Sequence, residues 1–203
     1  MLAAVILSGG ASSRMRSPKA LLAYQGRPFL EHLLEVTVHP KIGVRRVVLG
    51  AHAEPIARSI QLPADEIVIN EEWESGQLSS IQAAIRSLPR CKEGAVPETE
   101  GLLLCLVDHP LVSAALVNEL IEHFYVTRAK IVLPTFEGRR GHPVIFPAAL
   151  YEELLHAPPD KGARAVVWAH AAEVFPVPTN EEGCVLNLND PETMHRATGG
   201  PAS

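Results

Sequence analysis

Short apolar runs alternate with helix-period patterns from one end of this chain to the other, and no other feature restricts its fold more. The runs at residues 3–7, 46–49, 66–69, 102–107, 130–133, 144–146, 173–177 and 185–188 have the length and aliphatic character of buried strands. Between them, Leu30, Leu33 and Leu34, then Leu78, Ile81, Ile85 and Leu88, then Leu116, Leu120, Ile121 and Phe124 each fall on one face of a helix. Ser113 stands where a cap for the third of these helices belongs. Strands separated by crossover helices build a parallel sheet, and strands without polar side chains need cover on both faces. The expectation is an α/β fold, a three-layer domain around a mostly parallel sheet. At 203 residues one well-buried domain suffices, assigned to residues 1–197, with residues 198–203 as a frayed tail. The polar stretch 89–100 reads as a surface loop.

Open sheets of this kind bind ligands beyond the carboxyl ends of their strands, and here the polar clusters mostly follow strands. The first is Leu7-Ser8-Gly9-Gly10, leading to Arg14 and Lys19. A Gly-Gly turn brings bare N–H groups close to an anion, and two nearby cations strengthen the case for nucleotide phosphates. The spacing is neither G-x-G-x-x-G nor G-x-x-x-x-G-K-[ST], so the dinucleotide and ATPase fingerprints are both unmet. A formal net charge of −5 excludes broad electrostatic binding to nucleic acid or an acidic membrane, so any positive site must be local. Three cysteines far apart in sequence, with no C-x-x-C pair, suggest free thiols in a reducing compartment. The N-terminal apolar run is too short to span a bilayer and enters a glycine loop instead of a cleavage site, and the expectation is a cytoplasmic enzyme.

Asp108 ends a strand that has no polar side chain, in a position suited to Mg²⁺ held by a carboxylate and substrate phosphates; a turn-capping role is the alternative. Asn187, Asn189 and Asp190 precede Pro191 at a helix start, so one of them is a cap, while Asn189 is placed to offer the same metal an oxygen. Gly138 to Pro143 form a tight basic loop that aims His142 at a substrate phosphate or a neighbouring loop. Gln77, Ser79 and Ser80 open a helix whose first N–H groups suit an anion or a base edge, and simple capping by Ser75 explains part of the pattern just as well. Arg164, after Asp160-Lys161-Gly162-Ala163, is a phosphate ligand or a surface cation. Trp73 and Trp168 read as packing residues.

Together these segments resemble the nucleotidyltransferase family that completes the molybdenum cofactor by attaching cytidylate or guanylate to molybdopterin. The matching pieces run in the family's order: residues 7–19, Asn70 with 75–80, Leu106-Val107-Asp108-His109-Pro110, 138–146, 160–164 and 187–192. The Arg-Gly-His-Pro-Val segment with Gly-Ala-Arg after it looks most like the cytidylyltransferase branch. Ser8-Gly9-Gly10 and Asn187-Leu188-Asn189-Asp190-Pro191 lie nearer the guanylyl form, and His109 replaces a more usual Gln or Met.

The resemblance implies a Rossmann-like fold of the nucleotide-diphospho-sugar transferase type. It further implies that Leu7, Ser8, Gly9 and Gly10 meet base and ribose, that Arg14 and Lys19 hold the triphosphate, and that Gln77, Ser79 and Ser80 border the base. Asp108 and Asn189 would bind Mg²⁺, with Gly141, His142 and Arg164 on the acceptor side. The implied partners are CTP or GTP, a phosphorylated acceptor such as molybdopterin, and a molybdoenzyme or its chaperone. Two other readings stand beside this one: transfer to a sugar phosphate or similar acceptor, and a non-catalytic nucleotide-binding escort. A dinucleotide dehydrogenase is disfavoured by the glycine spacing and by Leu49-Gly50-Ala51-His52, where an acidic residue would be needed.

Overall fold

The fold is built outward from β1 (Leu2–Ser8), whose seven residues are all buried. Its run of aliphatic side chains can be hidden only at the centre of a sheet covered on both faces. A computed structural model describes residues 1–11, 17–89, 98–127 and 131–198. Arg14 lies outside the described residues.

In chain order, the small hairpin β2 (Ala23–Tyr24) and β3 (Arg27–Pro28) leads into helix α1 (Phe29–Val36). Next come β4 (Ile42–Leu49), α2 (Ala53–Ile60), β5 (Ile67–Ile69), α3 (Gln77–Ser87), β6 (Gly101–Leu106), α4 (Ala114–Thr127) and β7 (Ile131–Phe136). The chain ends with β8 (Arg139–Arg140), β9 (Val144–Pro147), α5 (Tyr151–Leu155), α6 (Arg164–Ala169), β10 (Val174–Pro178) and α7 (Pro191–Thr198). Among the described residues eight strands form one sheet, in the order β10-β7-β9-β6-β1-β4-β5, with β8 paired to β7. β1 runs parallel to β4 and to β6, and β4 parallel to β5, whereas β9 runs against both β6 and β7. The expected α/β domain with a mostly parallel sheet is therefore present.

Side chains alternate across the pleat of β1 and feed two cores. On one face Leu2 and Ile6 pack with Phe29, Leu30 and Leu33 of α1 and with Leu116, Leu120 and Ile121 of α4. On the other, Ala3, Val5 and Leu7 meet Leu78, Ile81 and Ile85 of α3, Leu154 of α5 and Val166 of α6. Each fully buried leucine, isoleucine or phenylalanine contributes about 1.5–3 kcal/mol. All three apolar faces expected to be helical help to cover the sheet. Ser113 does cap α4, its Oγ accepting from the Leu116 N–H at 3.1 Å.

Two expectations need correction. Residues 185–188 form no strand. A 3-10 turn at Glu182–Cys184 folds the chain across the strand ends, and Leu188 makes a lone N–H hydrogen bond to the Asp108 carbonyl at 2.7 Å. Leu188 is fully buried there, so its apolar character serves the core without a sheet neighbour. Nor does Ser75 cap α3. It lies in a 3-10 turn, and Gly76 at φ +99° provides the junction, a conformation glycine adopts without strain.

Candidate active site

A hollow of about 240 Å³ opens at the carboxyl ends of β1 and β6. Leu7, Ser8, Gly9 and Gly10 form one wall, while Lys19 and Asp108 stand on its rim. The β1–β6 pairing continues past the strand ends, the Val107 N–H donating to the Leu7 carbonyl at 3.1 Å. That bond fixes Asp108 beside the glycine turn. Beneath the turn, a Cβ on Gly50 would lie 2.4 Å from the Gly9 carbonyl oxygen and 2.6 Å from Cβ of Trp73, so only glycine fits at the end of β4. The Ala51 N–H donates to that same Gly9 carbonyl at 3.2 Å, and His52 Nε2 lies 3.0 Å from the Ala11 carbonyl oxygen.

Lys19, 89 residues from Asp108 in sequence (108 − 19), comes within 3.7 Å of its Oδ2. The Lys19 ammonium also donates to Oδ1 of Asn189. Of the three Asx residues before α7, Asp190 is the cap. Its Oδ1 accepts from the Thr193 N–H at 2.8 Å, and its Oδ2 from the Thr193 hydroxyl at 3.0 Å. These bonds hold the Asp190 carboxyl below the ordinary carboxylate range, the backbone bond first and the hydroxyl second. Asn189 is thus left to face Lys19.

Gln77 and Ser80 line the hollow, as expected of residues bordering a base, but Ser79 sits behind the wall. Its hydroxyl shares a proton between the carbonyls of Gly76 (2.8 Å) and Glu72 (2.9 Å). Asn70, itself buried, donates from Nδ2 to both Ser79 and Ser80 hydroxyls at 2.8 and 2.9 Å. Ser79 braces the start of α3 and does not reach the ligand space.

A second hollow, about 520 Å³, lies between the start of α3, strands β7 and β9, and the turn leading into α6. Arg140, His142, Lys161, Arg164 and Trp168 line it, and Gln77 lines both hollows. Gly141 is not on its surface: it packs on Cys184, where a Cβ would come within 2.5 Å of the carbonyl oxygen. The His142 N–H donates to that carbonyl at 2.8 Å. Trp168 departs from the packing role expected of it. It is 57% exposed, with the Arg164 guanidinium 5.9 Å from its ring centroid.

His142, on the wall of the second hollow, lies ring to ring with buried His109, centroids 5.2 Å apart. Burial drives the His142 pKa down to about 3, with the neighbouring His109 charge adding to the effect. Burial likewise lowers that of His109, against the opposing pull of the Asp108 charge. His142 is therefore a neutral ring at working pH and not a cation for phosphate. Neither Nδ1 has a hydrogen-bond partner among the described residues. The sequence motifs give no warning of this pairing, because its two rings come from segments 33 residues apart (142 − 109), nor of Trp168, whose exposure leaves no local mark although Arg164 stands one helical turn away.

Among the described residues no three His, Cys, Asp or Glu side chains converge to cage a metal. The donors at hand are hard oxygens, one carboxylate and one amide, around a point already occupied by a cationic group. This fits an ion such as Mg²⁺ that takes one or two protein ligands and completes its shell from phosphate and water. Nor is any helix of the described residues long and apolar enough to cross a membrane.

Comparison with known proteins adds four observations. Residues 4–174 match the family model of the MobA-like NTP transferase domain. The chain is 31% identical over 205 residues to a molybdenum cofactor guanylyltransferase of Rhizobium meliloti, covering 96% of this chain and 89% of that one. It is 29% identical over 199 residues to a nicotine blue oxidoreductase of Paenarthrobacter nicotinovorans, covering 95% and 94%. In three dimensions it superposes on Rv0371c from Mycobacterium tuberculosis with a TM-score of 0.80 and 25% identity, over 98% of this chain and 97% of that one.

Proposed function

This chain belongs to the MobA-like NTP transferase family, and from that premise we propose that its site moves a nucleoside monophosphate from GTP or CTP onto a phosphorylated acceptor, molybdopterin, with release of pyrophosphate. The observation that carries the reading is the meeting of Lys19, Asp108 and Asn189 at the mouth of the glycine-walled hollow.

The chemistry asks for position and charge more than for covalent help. An acceptor phosphate oxygen forms the new bond to the α-phosphorus, the α–β phosphoanhydride bond breaks opposite it, and pyrophosphate departs with the electron pair. A phosphate monoester is already a nucleophile at neutral pH, so no general base is needed. Leu7, Ser8, Gly9 and Gly10 hold the donor, Gln77 and Ser80 border its base, and Lys19 with Arg14 receives the charge of the leaving pyrophosphate. A divalent cation held by Asp108 and Asn189 would neutralise phosphate oxygens as negative charge builds on them. The second hollow takes the acceptor: Arg140, Lys161 and Arg164 supply cations for its phosphate, and the exposed ring of Trp168 supplies a flat face for a fused heterocycle. Gln77, on both walls, marks where donor and acceptor meet.

The donor base is guanine or cytosine. Ser8-Gly9-Gly10 and the guanylyltransferase relative favour the first, whereas the Arg140-Gly141-His142-Pro143-Val144 segment with Gly162-Ala163-Arg164 favours the second. A thermal-shift panel of GTP, CTP, ATP and UTP with Mg²⁺, run beside NADH and NADPH, tests the reading, because a ligand that binds the native state raises its apparent stability. We expect GTP or CTP to give the largest shift. A shift with a nicotinamide dinucleotide and none with any triphosphate would replace the transferase reading with that of the oxidoreductase relative.

A further inference from the structure

The ammonium group of Lys19 lies against both of the oxygens that a divalent cation would use, Oδ2 of Asp108 and Oδ1 of Asn189. The backbone that carries those oxygens is fixed on both sides. Asp108 is tied to β1 through the bond from Val107 N–H to the Leu7 carbonyl, and its own carbonyl accepts the N–H of buried Leu188 at 2.7 Å. On the far side of Asn189, Asp190 is locked as the cap of α7. Lys19 differs in kind from this pair. Its backbone is held by buried Ala20, but its charge rides on a flexible four-carbon stem. The side chains of Lys19 and Asp108 are only 19% and 23% exposed, so water screens the seat incompletely. Two cations cannot share it, and at such range their repulsion is strong.

We infer that Lys19 is a placeholder cation, which holds the Asp108–Asn189 pair in the free protein and releases it when a triphosphate offers the ammonium a new anionic partner. The inference rests on the nucleotidyl-transfer reading and adds an order to it. Binding of a divalent cation to the free protein is weak, since Lys19 must first give up its seat. Binding with nucleotide is tight, because the same movement of Lys19 that vacates the oxygens also engages the phosphates. Linkage makes the effect reciprocal, so the cation strengthens nucleotide binding by the same factor. The free site is thereby kept neutralised without a bound metal, and Asp108 never faces the phosphates as an uncompensated charge.

The test uses the full chain, with Mn²⁺ alone as probe, titrated by electron paramagnetic resonance with and without GTP or CTP. Lys19→Met keeps the stem and removes the charge. Mn²⁺ alone should bind Lys19→Met at least about tenfold more tightly than the parent, and the gain from added nucleotide should shrink by a similar factor. Asp108→Asn should abolish the tightened binding in the Lys19→Met background. Equal Mn²⁺ affinity in the parent and a folded Lys19→Met protein would overturn the inference. On the parent itself, added inorganic tripolyphosphate should raise Mn²⁺ affinity at least about tenfold beyond what the free chelate accounts for. Absence of that coupling would overturn the inference even were Lys19→Met to misfold. The functional reading fails separately: a parent that binds neither GTP nor CTP at any Mn²⁺ concentration refutes nucleotidyl transfer, while the comparison with Mn²⁺ alone still decides the role of Lys19.

Discussion

The two hollows differ in how they are assembled. The smaller takes its glycine wall from the end of β1 and its carboxylate from the end of the strand beside it, so that two neighbouring parallel strands deliver Gly9, Gly10 and Asp108 to the same end of the sheet, and Lys19, Ile56, Trp73 and Gln77 close the rest. The larger gathers Gln77, Arg140, His142, Lys161 and Trp168 from four separate segments around an antiparallel strand, β9. The proposed donor side thus owes its glycine wall and carboxylate to the sheet topology, whereas the proposed acceptor side depends on turns and helix ends. The smaller hollow is accordingly expected to be rigid and sensitive to any substitution, and the larger to tolerate change at the cost of acceptor choice.

Substitution at Asp108 should separate the sides most sharply. Asp108→Ala is expected to lower turnover by roughly 10²–10³-fold, the size of effect seen when a preorganised electrostatic group is lost, with an unchanged circular dichroism spectrum. Steady-state pyrophosphate release checks this, and parental turnover would remove Asp108 from the chemistry.

Gly50→Ala attacks the same side through packing. Its Cβ would fall 2.4 Å from the Gly9 carbonyl, which only a shift of the glycine turn can relieve. Overpacking of this kind costs about 1–3 kcal/mol, and chemical denaturation should report it together with weakened nucleotide binding. Unchanged stability and affinity would show the turn to be softer than its contacts imply.

On the acceptor side Trp168→Ala should raise the KM for an aromatic acceptor by about tenfold, equivalent to roughly 1.4 kcal/mol, while the KM for the triphosphate stays put. A change in the triphosphate KM instead would mean that the two hollows are not divided as described.

The smallest effect concerns His170, near the acceptor side, whose Nδ1 lies 2.8 Å from Glu173 and whose Nε2 lies 2.9 Å from Glu153. Hydrogen bonds to Glu173 and then Glu153 raise its pKa above the ordinary histidine value. Because the folded-state pKa is the higher one, the stabilisation is complete below about pH 6.5 and fades as pH rises through the raised value. The pair is exposed, so the loss should stay below about 1 kcal/mol. Thermal melts of the parent and of His170→Ala across pH 5.5–8.5 should converge at the alkaline end; parallel curves would dismiss the ion pair.

What could be read from sequence follows the same division. β1, β6 and the three helix faces were legible because each is a local period, and the meeting of Leu7 to Gly10 with Asp108 at one hollow was legible because strand ends carry them to the same end of the sheet. The run 185–188 misled because its apolar side chains satisfy a strand pattern, whereas the preceding turn at Glu182–Cys184 and the core position of Leu188 decide its path. Ser75 misled because a cap preference is weaker than the demand for positive φ met by Gly76. The His109–His142 pairing is not legible because 33 residues (142 − 109) separate the two rings and only the antiparallel pairing of β9 with β6 brings them together, whereas Trp168, one turn from Arg164 in α6, carries no local mark of its exposure. Gly141 was expected at the acceptor and instead fastens the loop to Cys184, a contact 43 residues away (184 − 141).

One product assay tests nucleotidyl transfer most directly. The protein would be incubated with α-phosphate-labelled GTP or CTP, a divalent cation and molybdopterin, and the label and pyrophosphate followed together. The expected result is label on the acceptor with one pyrophosphate released for each transfer, lost in Asp108→Ala. Bound nucleotide with neither label transfer nor pyrophosphate, under the same conditions, would contradict it.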